Sequence, residues 1–178
     1  MNYFYNNFLT PVEIDEIHNT IFNINFPWFY DHENTVSKLD LNKEQGNFSN
    51  LLDYYHLCHV FYSDYSKYSY IPEAIIKRLN LPNKILSAKV NLQGQNVKAT
   101  TETYNCPHQD MDDPHLAAIY YVNDSDGFTF LFDNDNNIIN KIMPKKGSLL
   151  LLDGSIKHAG GHPITSLKRC VINFNLSK

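Results

Sequence analysis

The sequence predicts a mainly β fold with flanking helices, and three observations lead there. From Ile85 onward, short runs of branched and aromatic residues alternate with clusters of Gly, Asn, Asp and Pro, the pattern of strands joined by tight turns. Before that point only two segments have helical character, and both are short. At 178 residues the chain fits one domain with a substantial core. Many short strands in one domain indicate a sandwich or a barrel.

Taken in order, Leu9-Thr10-Pro11-Val12-Glu13-Ile14 starts a helix. Thr10 caps it, Pro11 suits the first helical position, and Glu13 completes a capping box. Leu9 and Ile14 are spaced for a hydrophobic staple. Ile14, Ile17 and Ile21 form an apolar stripe that should lie on a sheet. Phe26 to Tyr30 follows as an aromatic strand or loop. Residues 31–50 are polar and Asn-rich, and read as a surface excursion. Leu57–Tyr62 reads as a strand, and the Tyr/Ser-rich stretch 62–70 as a loop or substrate lid. Pro72–Leu79 is a short helix stopped by Pro82 and Asn83. Strands are then expected at Ile85–Leu92, Leu116–Asn123, Phe128–Phe132, Ile138–Ile142, Ser148–Leu152 and Arg169–Leu176. Gly94–Thr101 is expected as a polar loop.

Composition narrows the function. A net charge of −4 argues against a nucleic-acid partner, since such binders carry a basic excess. No apolar run reaches membrane-span length, and Met1–Asn7 lacks the basic region and apolar stretch of a secretory signal. Cys58, Cys106 and Cys170 are scattered and form no CxxC, which fits a reducing compartment. These features together predict a cytoplasmic location without a membrane partner.

The chemistry concentrates around Asn105-Cys106-Pro107-His108-Gln109-Asp110. On a strand, residues two apart share a face, so His108 and Asp110 present an imidazole and a carboxylate together. An isolated His-x-Asp is more often a hydrogen-bonded loop pair. Here His158 and then Arg169 follow it in order. Two histidines and one carboxylate on one side of a metal leave coordination positions open, which suits Fe(II) that also holds a cosubstrate and O2. Arg169 has the planar fork that grips a carboxylate. On its strand Arg169, Val171, Asn173 and Asn175 share one face, and Cys170, Ile172 and Phe174 share the other. Lys168 should point away from Arg169. Asp133–Asn137 begins like a calcium loop but lacks its glycine and closing glutamate, so it reads as a turn. His56 and His59 do not share a strand face, and Gly160, Gly161 and Pro163 exclude a helical pair of His158 with His162.

The ordered set resembles the 2-oxoglutarate/Fe(II)-dependent dioxygenase superfamily, especially its prolyl-hydroxylase-like branch. The resemblance covers about residues 85–176. His108-Gln109-Asp110 matches the first metal pair, and Ile119-Tyr120-Tyr121-Val122-Asn123 is similar to the core strand that follows it. Gly127-Phe128-Thr129 is similar to a Gly-x-Thr turn, with one glycine where two are common. His158-Ala159 matches the distal histidine, and Arg169-Cys170-Val171-Ile172-Asn173-Phe174 matches the final strand. The resemblance implies a double-stranded β-helix (jelly roll) in a single domain, 1–178. Residues 1–84 would form a helical and aromatic flanking layer and 85–178 the catalytic core. It implies Fe(II) held by His108, Asp110 and His158. It also implies 2-oxoglutarate held by Arg169, with Tyr121, Asn173 and Asn91 as further contacts. The activity implied is hydroxylation of a peptide prolyl or small-molecule substrate, with release of succinate and CO2; ascorbate could support it. The alternatives are a non-catalytic jelly-roll module, for sugar binding or a virion shell, and a cupin-like metal enzyme.

Overall fold

The computed structural model describes residues 3–31, 50–52, 55–63, 66–81 and 83–178. The surface excursion expected at 31–50 falls almost wholly outside these residues, as do Asp64 and Tyr65 of the Tyr/Ser loop and the helix stop at Pro82.

Ten strands and two helices are described. In chain order they are β1 Tyr3–Tyr5, α1 Pro11–Ile21, β2 Phe29–Asp31, β3 His56–Val60, α2 Tyr70–Leu79, β4 Ile85–Gly94, β5 His115–Tyr121, β6 Thr129–Phe132, β7 Ile138–Ile142, β8 Leu149–Asp153, β9 His158–Gly160 and β10 Lys168–Ser177. Seven strands form one sheet in the order β1-β8-β5-β10-β4-β3-β2, and three form a second in the order β7-β6-β9. All named pairings are antiparallel. The strands thus build two facing sheets, as the turn pattern implied. Three strands from the first 84 residues, β1, β2 and β3, extend the large sheet itself.

Three apolar layers result from the period-two alternation of the strands. On the outer face of the large sheet, Ile17 and Ile21 of α1 and Ile71 and Ile75 of α2 pack with Val90, Tyr120, Ile172 and Phe174. Between the sheets lie Ile119, Leu150, Val171 and Leu131. Tyr104, Phe130, Phe132 and Ala159 form a third cluster, on the other side of β6. The small sheet therefore packs over β8, β5 and β10, while β4, β3 and β2 run on beyond it.

The predicted cap of α1 is present. Thr10 Oγ1 accepts from the Glu13 amide (3.4 Å), and the Thr10 amide donates to Glu13 Oε2 (2.8 Å). Two strands had no sequence signal. β1 gains its order from pairing with β8. β9 is a His-Ala-Gly tripeptide paired with β6, and its His158 also exchanges both backbone hydrogen bonds with His108 (3.0 and 3.1 Å). The turn at Asp133 folds on itself, with Asp133 Oδ1 accepting from the amides of Asp135 and Asn137.

Gly147 ties α1 to the sheet. Its φ is 77°, a left-handed value that favours glycine. Its carbonyl accepts from Phe8 and its amide donates to Tyr121 O, and a Cβ there would collide with Ile14. Gly147→Ala should cost roughly 1–3 kcal/mol of stability, read as a lower urea midpoint at an unchanged slope.

Candidate functional site

Sheet topology brings the His-x-Asp stretch onto β9. The backbone bridge between His108 and His158 places their rings 4.8 Å apart. Asp110 completes the group. One ligand atom from each of the three lies within 4.8 Å of the others, and no other such group of three occurs among the described residues. His108 Nε2 is 3.3 Å from Asp110 Oδ1, and His158 Nε2 is 3.8 Å from Oδ2. The opposite ring nitrogens face backbone carbonyls: His108 Nδ1 lies 3.0 Å from Cys106 O, and His158 Nδ1 lies 3.3 Å from Ile156 O. A carbonyl only accepts, so each Nδ1 carries the proton and each Nε2 lone pair faces the centre of the group. That is the tautomer a metal needs, fixed from behind.

Electrostatics agree with this state. Burial lowers the His158 imidazole to about 4, with the His108 ring adding to the effect, so it is neutral near pH 7. For Asp110, burial works to raise the carboxyl, but the adjoining His108 side chain and the nearby His158 and His115 outweigh it and hold it below its usual value. A neutral imidazole and an ionised carboxylate are the ligand forms of a divalent metal.

The same cavity, of about 460 Å³, reaches Arg169. Arg169 is 5% exposed, and its hydrogen-bond partners among the described residues are neutral oxygens. Nε donates to Gly127 O (2.9 Å), one terminal nitrogen to Gln93 Oε1 (3.1 Å) and the other to Thr129 Oγ1 (2.8 Å). Among the described residues no carboxylate pairs with it. A buried cation without a counter-ion is costly, so the pocket is built to receive an anion. Gly160 lies directly on the guanidinium, and a Cβ there would sit 3.0 Å from it.

The inner-face residues of the final strand fall as their spacing predicts. Arg169, Val171, Asn173 and Asn175 line the cavity, while Cys170, Ile172 and Phe174 enter the outer core. Lys168 leaves the other way, its Nζ 3.5 Å from the Phe22 ring centroid. Asn91 also lines the cavity. Tyr121 does not. It is fully buried, and its hydroxyl donates to Thr129 Oγ1 (2.9 Å), so it stands behind Thr129 rather than in the pocket. Burial pushes its phenol up to about 12, which keeps it a proton donor.

The sequence assigned no residue to hold Arg169; Gln93, with Asn91, was expected to reach the cosubstrate's other end. Gln93 and Thr129 hold Arg169 directly. Their signals were faint: a polar residue at the exit of β4, and the Thr of Gly127-Phe128-Thr129. His56, Val60 and Lys89 also line the cavity, and Asp31 Oδ2 beside it lies 3.4 Å from His56 Nε2 and 3.5 Å from Lys89 Nζ. His59 turns the other way, as alternation requires. Its ring packs on Phe26 and Phe61 and lies 2.8 Å from Ser66 Oγ.

No family model matches the sequence, and no curated protein matches it. Solved structures do. A prolyl hydroxylase from Trichoplax adhaerens, in complex with a hypoxia-inducible-factor oxygen-degradation-domain peptide, has a TM-score of 0.60 at 18% identity, over 99% of this chain and 83% of that one. The viral collagen prolyl hydroxylase of Paramecium bursaria chlorella virus 1, in its 2-oxoglutarate complex, has a TM-score of 0.56 at 15% identity, over 99% and 96%. A non-haem α-ketoglutarate-dependent epimerase from nogalamycin biosynthesis has a TM-score of 0.62 at 11% identity, over 99% and 77%. At these identities the shared property is the fold, and the chain has the double-stranded β-helix fold of the 2-oxoglutarate/Fe(II) oxygenases. Prolyl hydroxylases and an epimerase are both among the similar structures, so the fold leaves the substrate open.

Two outcomes follow from this geometry. Replacing His108, Asp110 or His158 by Ala should each weaken divalent-metal binding severely, measured by metal content and anaerobic titration; unchanged affinity in all three would remove the three-ligand assignment. The second concerns acid stability without metal. His158 and His162 are both held near 4 by burial, against an ordinary value of 6.5, so the unfolded chain takes up protons first as pH falls. Stability is complete above about 6.5 and declines toward 4, by roughly 2 kcal/mol per histidine at about pH 5. Urea midpoints across that range test it, and His162→Gln should flatten the decline.

Proposed function

We propose that the protein is an Fe(II)- and 2-oxoglutarate-dependent dioxygenase that hydroxylates a peptide prolyl or small-molecule substrate. One observation carries this reading: a single cavity holds both a His-Asp-His ligand set and a buried arginine with no carboxylate partner among the described residues. In this assignment His108, Asp110 and His158 hold Fe(II), and Arg169 receives the distal carboxylate of 2-oxoglutarate. When bound, the iron, 2-oxoglutarate and O2 supply the oxidation, releasing succinate and CO2, with ascorbate as a support for the reduced metal.

The chain's own residues do the positioning. Gln93, Thr129 and Gly127 aim the guanidinium, so its orientation is set before the cosubstrate arrives. Tyr121 holds Thr129 in place. Ile119 and Val171 give the cavity an apolar wall that limits water around the carboxylate and strengthens the charge-assisted contact. Asn91 and Asn173 offer amides along the same wall. The domain 1–178 then acts as one catalytic unit, with 85–178 carrying every proposed iron and cosubstrate contact. In this reading substrate enters on the side of His56, Val60 and Lys89. A peptide is supported by the peptide complex of the similar Trichoplax protein, and a small molecule by the similar epimerase. A non-catalytic jelly-roll module would have no use for a buried cation beside a three-ligand set.

Iron-loaded protein should bind 2-oxoglutarate without O2, and release succinate when O2 is admitted. Arg169→Ala strands a buried carboxylate, at roughly 3–5 kcal/mol, so binding should weaken at least about a hundredfold. Fe(II) affinity measured alone should hardly change. Lys168→Ala is the control, because its side chain lies on the outer face. Loss of 2-oxoglutarate binding in Lys168→Ala but not in Arg169→Ala would strike Arg169 from the site.

A further inference from the structure

We propose that Asn175 is the positioning residue for Asp110, capturing Oδ2 and so selecting the carboxylate oxygen that the ligand set offers to metal. The inference rests on the metal assignment above and adds a residue to it. The two histidines are each held from behind by a backbone carbonyl. Asp110 needs a comparable restraint, and it finds one on β10. The Asn175 carboxamide lies 2.9 Å from Asp110 Oδ2 and 3.0 Å from Ser87 Oγ. An ionised carboxylate only accepts, so the amide nitrogen faces Asp110. The amide oxygen then turns to Ser87, whose hydroxyl donates to it.

A short relay therefore runs from Ser87 on β4 through Asn175 on β10 to Asp110. Ser87 and Asn175 are register partners across the two strands, so the half of the relay behind Asp110 is fixed by sheet backbone. The pairing shifts between Asn175 and Leu176, and such irregularities re-aim side chains. With Oδ2 engaged, Oδ1 remains, facing His108 Nε2 at 3.3 Å. A carboxylate held in this way contributes one ligand atom rather than two. It leaves the remaining positions for cosubstrate and O2.

The test uses Co(II), a divalent probe that is visible and does not turn over. It is titrated anaerobically into wild type, Asn175→Leu, Asn175→Gln and Ser87→Ala, following the absorption bands, with urea midpoints recorded alongside. Asn175→Leu should bind Co(II) about 10- to 100-fold more weakly and shift the bands, as the freed carboxylate changes its mode of coordination. Asn175→Gln should restore part of the affinity, and Ser87→Ala should lose less than Asn175→Leu, in the same direction. If Asn175→Leu does not fold, Ser87→Ala and Asn175→Gln decide the matter by the same two readings. Folded variants with wild-type affinity and wild-type bands overturn the role of Asn175 and leave the metal site standing. Failure of wild type itself to bind Co(II) overturns the metal assignment and this inference together.

Discussion

Alternation along β10 is the constraint on which the rest of the structure depends. The strand lies in the interior of the large sheet, between β5 and β4, and both of its faces are occupied. One face is apolar and closes the core against α1 and α2. The other carries Arg169, Val171, Asn173 and Asn175 into the cavity. A slip of one residue would drive Phe174 into the polar cavity and Arg169 into an apolar core, each at a cost of several kcal/mol. The register is therefore set by burial, and it delivers the guanidinium and two carboxamides to fixed positions without loops.

The opposite wall is held more lightly. The proposed ligands come from a strand of three residues and from a stretch that joins it through a bridge at His108. No propensity favours His-Ala-Gly as a strand. Its order comes from backbone pairing with β6 and His108, and from the fit of Gly160 against Arg169. The two walls thus depend on each other: the guanidinium fills the space that glycine leaves, and the glycine keeps β9 close enough to present His158.

What the sequence made legible, and what it hid, follows from that division. Long strands with strong alternation were readable, and β5, β8 and β10 fall within a residue or two of their expected bounds. The capping box was readable because it is local. The grouping of His108, Asp110 and His158 was readable because type and order survive without knowledge of distance. Partnerships across strands were not. Thr129 and Gln93 are ordinary residues until the fold sets them against Arg169, and Tyr121 becomes a buttress only because Thr129 stands in front of it. Strands β1 and β9 were hidden for the same reason: their stability lies in their neighbours.

The mismatch between the two sheets has a consequence for how such a molecule can change. The small sheet covers β8, β5 and β10, and β4, β3 and β2 project past it, bearing Lys89, His56, Val60 and Asp31. Among the described residues, the overhang adds none to the inter-sheet core formed by Ile119, Val171, Leu150 and Leu131. Substitutions at His56, Val60 or Lys89 change the size and charge of that edge of the cavity while leaving the β10 register, which burial sets, in place. The architecture is modular within one domain, with a conservative interior and an adaptable porch.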